Sequence, residues 1–274
     1  MERYGFGAGA SRLLGGGTGA HAEFERMAAE LKGAEAALMF GSGYAANTGA
    51  IPALAAAGDE VFSDALNHAS IIDGCRLSRA RTHIYSHMDI AHLAELLAAS
   101  RASRRLVVTD TVFSMSGEVA PVRELYALCE SKGAMLYLDD AHGTGVLGRG
   151  ALGHFGLRAG AWVVQMSTCS KALGAEGAFI AASQDTIDWL LNTSRSFIYS
   201  TAPAPCVAAA ASAAIGIVMS AEGDGLMQRL RDNQRELVAA LRRSGVMVVH
   251  GGTPIIPVSV GDIDKPLAVA AGLT

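Results

Sequence analysis

The stretch VVQMSTCSKALGAEGAF, from Val163 to Phe179, contains a single lysine, Lys171. This lysine follows an apolar segment and a cluster of hydroxyl and thiol groups. Burial disfavours the charged form of lysine and lowers its pKa, which leaves an amine suited to attack a carbonyl group and hold it as a Schiff base. The alternative is a lysine at a helix start whose stem covers apolar surface while its amine reaches water. This stretch alone leaves both interpretations open.

A pair of aspartates and a histidine follow another apolar run in LYLDDAHGTG, from Leu136 to Gly145. Asp139 ends the run and His142 comes three residues later. One carboxylate and one imidazole are too few for a metal site, so no metal is predicted. The carboxylate is then either a helix cap or a group that keeps a pyridine nitrogen protonated, with the imidazole hydrogen-bonded to a phenolic oxygen nearby.

A glycine turn lies in FGSGYAAN, from Phe40 to Asn47. A strand, a glycine turn and a helix present backbone N–H groups to an anion, usually a phosphate. The same turn also fits a loose GxGxxA dinucleotide pattern, with candidate ribose-binding acids about 20 residues further on at Asp59, Glu60 and Asp64. A simple tight turn is the third alternative.

These groups together predict a pyridoxal phosphate site. Lys171 would hold the cofactor, Asp139 would keep the ring an electron sink, and the glycine turn with hydroxyl groups would hold the phosphate. A dinucleotide enzyme has no use for Lys171 or for the Asp139–His142 pair. His68, in DALNHAS, is by itself more often structural than catalytic. The sequence contains no GxSxG motif, which disfavours an α/β-hydrolase.

The composition excludes several classes of protein. The chain has 274 residues, half of them hydrophobic, and a net charge of −4, and it lacks the basic stripe of a nucleic-acid-binding protein. Four scattered cysteines without a CxxC motif, and no signal peptide, predict reduced thiols in the cytoplasm. The apolar segment from Cys206 to Met219 is short for a membrane span and is interpreted as a buried helix.

Helical and extended patterns alternate along the chain, which predicts an α/β fold around a mostly parallel sheet. The groups described above come at the ends of predicted strands, where such sheets bind ligands. Near residue 220 alanine-rich sequence gives way to a charged helix, so we predict a large domain over 1–218 and part of a smaller α/β domain over 219–274. Two strands, Val246–Val249 and Ile255–Val260, are predicted within the smaller domain.

The chain resembles the α-oxoamine synthases, pyridoxal-phosphate enzymes with the aspartate-aminotransferase fold (fold type I) that condense an amino acid with an acyl-CoA and release CO₂. The resemblance covers almost the whole chain. It lies in the segments GAGASRLLGGGTGAH, FGSGYAAN, DALNHASIIDG, VFSMSGEVAP, DDAHGTGVLGRG, STCSKALG and IYSTAPAP.

The resemblance implies a role for each candidate residue. Lys171 binds the cofactor covalently and then takes the Cα proton of the substrate, Asp139 pairs with the ring nitrogen, His142 bonds the ring oxygen, and His68 stacks on the ring. Ser114 lies beside the ring, and Gly43, Tyr44 and Thr168 bind the phosphate. Ser200 and Thr201 reach the phosphate of a partner subunit, which implies a homodimer with its active site at the interface.

The resemblance also implies a function. The segment DDAHGTGVLG favours L-alanine and pimeloyl-CoA as substrates, and glycine with acetyl-CoA is the alternative because DALNHASIIDG is shared with enzymes of that kind. The resemblance further implies that an N-terminal segment and much of the C-terminal domain of the family, including an arginine for the substrate carboxylate, are missing from this sequence. We therefore expect a fragment or a shortened homologue that binds cofactor but turns over poorly. A non-catalytic partner subunit is the alternative of another class, which the presence of Lys171 disfavours.

Overall fold

A seven-stranded sheet forms the centre of the computed structural model, which describes residues 1–249, 251–258 and 271–272. The strand order is β1-β7-β6-β5-β4-β2-β3. The strands are β1 Ala36–Phe40, β2 Glu60–Asp64, β3 Arg81–Tyr85, β4 Arg105–Asp110, β5 Met135–Asp139, β6 Val163–Thr168 and β7 Ala178–Ala182. Only β7 runs antiparallel to its neighbours β1 and β6, so the other six strands end at one edge of the sheet. The predicted mostly parallel α/β sheet is confirmed.

Helices cover both faces of this sheet. They are α1 Gly19–Lys32, α2 Gly43–Leu54, α3 Ala69–Ser78, α4 Ile90–Ala99, α5 Val122–Lys132, α6 Ala151–His154, α7 Gln184–Thr193, α8 Arg195–Ile198, α9 Pro205–Val218 and α10 Ala221–Arg243, with a short 3-10 helix at Arg12–Leu14. Side chains alternate along each strand, so Leu38 and Phe40 of β1 pack with α2, α3, α7 and α8. Ala37 and Met39 pack on the opposite face with α1 and α9. The face of β2, β4 and β5 beside them packs with α4 and α5.

Several helices begin where the sequence supplies a polar cap. Ser42 accepts a hydrogen bond from the backbone N–H of Ala45 at the start of α2, and Ser183 does the same for Thr186 at the start of α7. The helix predicted over Pro121–Lys132 begins one residue later, because Pro121 occupies the cap position. These caps fix where each helix leaves its strand, and therefore where the strand-end side chains point.

The two strands predicted near the C-terminus are wrong within the described residues. The structure has a single bridge between Val248 and Val258, and residues 259 and 260 of the second predicted strand lie outside the described part of the chain. Met247 and Val249 are exposed, so this segment lacks the buried face that would stabilise a strand. The division into domains 1–218 and 219–274 remains a prediction.

The described helices differ from membrane-spanning helices in length or in composition. Taken singly, none of these helices is both long and apolar enough to cross a bilayer. Pro205–Val218 and Ala221–Arg243 meet the criterion only as a pair, with a bend of 78° between them.

Candidate active site

A cavity of about 220 Å³ opens at the edge of the sheet where the parallel strands end. Strands β4, β5 and β6 and the start of α2 each contribute to its wall. Seven residues predicted to form the site line this cavity: Gly43, Tyr44, His68, Asp139, His142, Thr168 and Lys171. The order of the strands thus brings together groups that are far apart in the sequence.

Lys171 lies in the tight loop between β6 and β7. The loop is closed by backbone hydrogen bonds from Cys169 N–H to Gly177 O and from Gly174 N–H to Lys171 O. The Lys171 amine lies 2.6 Å from Nε2 of His142. Partial burial lowers the pKa of Lys171, and the nearby carboxylates of Asp139 and Asp110 act in the opposite direction. The side chain stays open to the cavity, so the amine is accessible to a ligand there.

Asp139 ends β5 and is 3% exposed. Its Oδ2 accepts a hydrogen bond from the side chain of Asn47 at 2.7 Å, and its Oδ1 accepts one from the backbone N–H of Ala141 at 3.1 Å. Burial raises the pKa of Asp139, while these two hydrogen bonds favour the carboxylate. A buried acid of this kind is well suited to pair with a protonated nitrogen of a ligand.

Asp140, the other aspartate of the pair, lies away from the cavity. Its carboxylate forms a buried ion pair with the amine of Lys32 at 2.5 Å and accepts hydrogen bonds from the hydroxyls of Thr111 and Thr144. The side chains of Lys32 and Asp140 are 0% and 2% exposed. The ion pair ties α1 to the segment after β5, so the two adjacent aspartates have separate tasks.

His142 and His68 both line the cavity. Burial, followed by the charge of Lys171, lowers the pKa of His142 to about 4. His68 is held at the start of α3 by a hydrogen bond from its backbone N–H to Oδ2 of Asp110 at 2.8 Å. Its Nδ1 lies 2.7 Å from Oγ of Ser70.

Asp110, Ser70 and Asn47 have polar side chains at or behind the cavity and were missed as site residues. Asp110 lines the cavity, and burial together with the charge of Asp139 raises its pKa well above the ordinary range. Ser70 also lines it, and Asn47 supports Asp139 from behind. Asp110 sits at the end of a buried strand, as Asp139 does, and this position was the signal that could have identified it. The sequence held no comparable signal for the contact between Asn47 and Asp139.

The end of the cavity formed by α2 has the features of a phosphate site. Gly43 and Tyr44 occupy the first turn of α2, where backbone N–H groups lack acceptors within the helix. The first turn carries no acidic residue, and the hydroxyl of Thr168 lies at the same cavity. With Lys171 and the buried Asp139, these groups fit a ligand that joins an aldehyde, a ring nitrogen and a phosphate, as pyridoxal phosphate does.

The structure places Ser114, Ser200 and Thr201 outside the lining of this cavity. Ser114 lies in the turn after β4, while Ser200 and Thr201 are exposed. Thr201 is fixed to the N-terminal segment by a bridge to Ser11. Their predicted roles beside the ring and at a partner's phosphate remain predictions.

Comparison with known proteins gives one consistent family. The model of the aminotransferase class I and II family matches residues 2–272. An 8-amino-7-oxononanoate synthase from Geobacter sulfurreducens is 51% identical over 271 residues, which cover 97% of this chain and 69% of the relative.

Two solved structures are similar over most of the chain. A serine palmitoyltransferase from S. paucimobilis with a bound PLP–myriocin aldimine has a TM-score of 0.89 and 31% identity, covering 96% of this chain and 69% of that one. An 8-amino-7-oxononanoate synthase from Francisella tularensis has a TM-score of 0.82 and 26% identity, covering 99% and 77% of the two chains.

Proposed function

This chain belongs to the aminotransferase class I and II family, and we propose that it is a pyridoxal-phosphate-dependent acyltransferase, an 8-amino-7-oxononanoate synthase of biotin synthesis. The reaction joins L-alanine to pimeloyl-CoA and releases CO₂ and coenzyme A. The observation that carries the proposal is the convergence of Lys171, Asp139 and His142 on one cavity. The identity of 51% with a synthase of that name supports the choice of substrates.

Each group at the cavity has a task in holding the cofactor. Lys171 would bind the aldehyde carbon, Asp139 would pair with the ring nitrogen, and His142 would form a hydrogen bond to the ring oxygen. Gly43, Tyr44 and Thr168 would bind the phosphate, and His68 would cover the ring face. Ser114 is assigned to the ring substituents from the turn after β4.

When bound, pyridoxal phosphate would supply an aldehyde group for the amino group of the substrate and a ring that withdraws electrons from its Cα. Asp139 keeps the ring nitrogen protonated and so sustains this withdrawal. Lys171 would act as the base that removes the Cα proton of the substrate, and it would return a proton after the loss of CO₂. Its lowered pKa favours the neutral amine that acts as this base. His142 is neutral at pH 7 because its pKa is about 4, so its imidazole can exchange hydrogen-bond partners without moving a net charge.

We also propose that two copies of the chain form a homodimer and that Ser200 and Thr201 complete the phosphate site of the partner. Both residues are exposed, and the bridge from Thr201 to Ser11 holds their segment in place, which supports a contact outside their own cavity. The four unpaired cysteines support a cytoplasmic location.

The function is tested by measuring coenzyme A release and the ketone product from matched substrate pairs. L-Alanine with pimeloyl-CoA is compared with glycine plus acetyl-CoA and with L-serine plus palmitoyl-CoA, and Lys171→Ala serves as the inactive control. Preference for the first pair is the expected result. Preference for either other pair would keep the reaction class and replace the substrates, and absence of pyridoxal phosphate binding would refute the proposal.

A further inference from the structure

Asn47 is completely buried in α2, directly behind the cavity. Its side-chain amide makes three hydrogen bonds. Nδ2 donates to Oδ2 of Asp139 at 2.7 Å and to Oγ of Ser70 at 2.8 Å, while Oδ1 accepts from the hydroxyl of Tyr137 at 2.8 Å. One amide thus links groups from β5, α2 and α3, all close to the proposed cofactor.

The partners of Asn47 determine which way its amide points. An ionised carboxylate is only an acceptor, so the atom of Asn47 that faces Asp139 must be the donor Nδ2. Oδ1 then faces the buried hydroxyl of Tyr137, which donates to it. The flipped amide would set two acceptor oxygens against each other and would leave the tyrosine O–H facing an N–H group.

The first consequence concerns Asp139. With Nδ2 of Asn47 on Oδ2 and the backbone N–H of Ala141 on Oδ1, each oxygen of the carboxylate has a fixed donor. These bonds set the plane of the carboxylate before any ligand binds. The hydrogen bond from Asn47 also opposes the effect of burial, which otherwise raises the pKa of Asp139.

The second consequence concerns His68. Ser70 Oγ accepts from Asn47, so its own hydroxyl hydrogen is available for Nδ1 of His68 at 2.7 Å. The backbone N–H of Ser70 also donates to this Nδ1, at 3.2 Å. Nδ1 is therefore an acceptor, and in the neutral ring the proton is carried by Nε2.

We propose that Asn47 is a positioning residue for the proposed reaction, which orients the Asp139 carboxylate toward the ring nitrogen of the cofactor and, through Ser70, fixes the tautomer and position of His68. This inference rests on the proposed function, because the ring nitrogen belongs to pyridoxal phosphate. A purely structural asparagine would stabilise the fold but would not affect how the site distinguishes a pyridine nitrogen from a carbon.

The two roles of Asn47, positioning and purely structural, can therefore be separated by measuring how the site distinguishes a pyridine nitrogen from a carbon. Binding of pyridoxal phosphate is compared with binding of its deaza analogue, in which C–H replaces the ring nitrogen, for the wild type and for Asn47→Leu. The analogue keeps the aldehyde and the phosphate, so the contacts of Lys171 and of the α2 turn are unchanged. We expect the wild type to bind pyridoxal phosphate more tightly than the deaza analogue. In Asn47→Leu the ratio of the two affinities should fall about tenfold, as expected for the loss of a hydrogen bond to a charged group.

Ser70→Ala is the matched control, because it removes the link to His68 and leaves the bond between Asn47 and Asp139. It should retain the wild-type preference. Tyr137→Phe provides a second test if Asn47→Leu does not fold. It removes the hydrogen bond that anchors Oδ1 of Asn47, so the amide is held less firmly against Asp139 and the preference should fall by a smaller factor.

An unchanged preference in Asn47→Leu or, failing that, in Tyr137→Phe would overturn the inference and leave the proposed function standing. Failure of the wild type to bind pyridoxal phosphate would overturn both.

Discussion

The Lys171 amine and Nε2 of His142 are 2.6 Å apart, so the two side chains share one hydrogen bond at the cavity. His142 is neutral above its lowered pKa of about 4, and it then accepts this bond from the lysine. In the protein without cofactor, the imidazole therefore holds the amine beside Asp139 and Asp110, the two acids that also line the cavity.

The lowered pKa of His142 predicts a specific dependence of stability on pH. Between pH 6.5 and about 4 the unfolded chain takes up a proton at this residue that the folded chain does not, so His142 destabilises the fold as the pH falls through this window. His142→Asn lacks this effect. We expect the urea midpoint of the variant to rise relative to wild type between pH 7 and pH 4.5, in protein without cofactor. A constant difference between the two proteins would contradict the pKa.

Lys171 is predicted to carry the cofactor. The chain contains four lysines, Lys32, Lys132, Lys171 and Lys265. Borohydride reduction of the loaded protein should attach pyridoxal phosphate to the peptide that contains Lys171, and Lys171→Ala should abolish the labelling. Lys132→Ala, at the exposed end of α5, is the control and should label normally. Labelling at another lysine would end the assignment.

The two adjacent aspartates are predicted to respond in opposite ways. Asp139→Asn should retain the fold and the cofactor but should lose exchange of the alanine Cα proton, because the ring nitrogen loses its acid partner. Asp140→Asn should lower the free energy of unfolding by about 3–5 kcal/mol, because it leaves the Lys32 amine buried without a counter-charge. Proton exchange measured by NMR and thermal unfolding separate these effects. Wild-type exchange in Asp139→Asn would show that the wrong acid was chosen.

The ion pair of Lys32 and Asp140 is predicted to need a glycine at position 150, because it leaves no space for a larger side chain there. The φ of Gly150 is 119°, and a Cβ added there would collide with Asp140 Oδ2 and Lys32 Nζ. Gly148 also has a positive φ, of 69°, but a Cβ there meets open space. Gly150→Ala should therefore be less stable than Gly148→Ala by at least about 1–3 kcal/mol, because the added Cβ overpacks the site. The backbone adds to this difference, since φ 119° with ψ 178° is a region essentially restricted to glycine and the left-handed φ of Gly148 is less strained. Equal urea midpoints would argue against this packing.

The proposed homodimer predicts complementation between two inactive chains. One chain carries Lys171→Ala, and the other carries Ser200→Ala with Thr201→Ala. In a mixed dimer the site with the intact lysine receives Ser200 and Thr201 from its partner. Equal coexpression should restore about one quarter of the wild-type activity, because half of the dimers are mixed and each holds one complete site. Activity no higher than the sum of the separate chains would exclude a shared site.

The parts of the site that follow from the order of strands could be predicted from the sequence. Asp139, His142, Thr168 and Lys171 come at or just after the ends of buried strands, and parallel strands bring such ends to one edge. The role of Asp140 could not be predicted, because its partner Lys32 is 108 positions away in the sequence. The same holds for Asn47, whose contact with Asp139 depends on how α2 packs across the sheet.

The strand predictions failed where local pattern was the sole support. Val246–Val249 is apolar enough for a strand, but Met247 and Val249 are exposed and a single bridge forms at Val248. A strand is stable only when neighbouring strands pair with it and other residues pack on one of its faces. An apolar pattern of four residues does not show whether either condition is met.

The position of β1 beside β7 has a consequence for how the chain is made. Every residue of β1 pairs with β7, from Ala36 opposite Ala182 to Phe40 opposite Ala178. Roughly 140 residues separate the two strands, so at about 5–20 residues per second a ribosome needs on the order of 10 s to supply the partner of β1. During that interval the apolar sequence AALMF has an open edge that can pair with other chains. We therefore expect nascent chains shorter than about 180 residues to depend on chaperones and to aggregate when these are scarce.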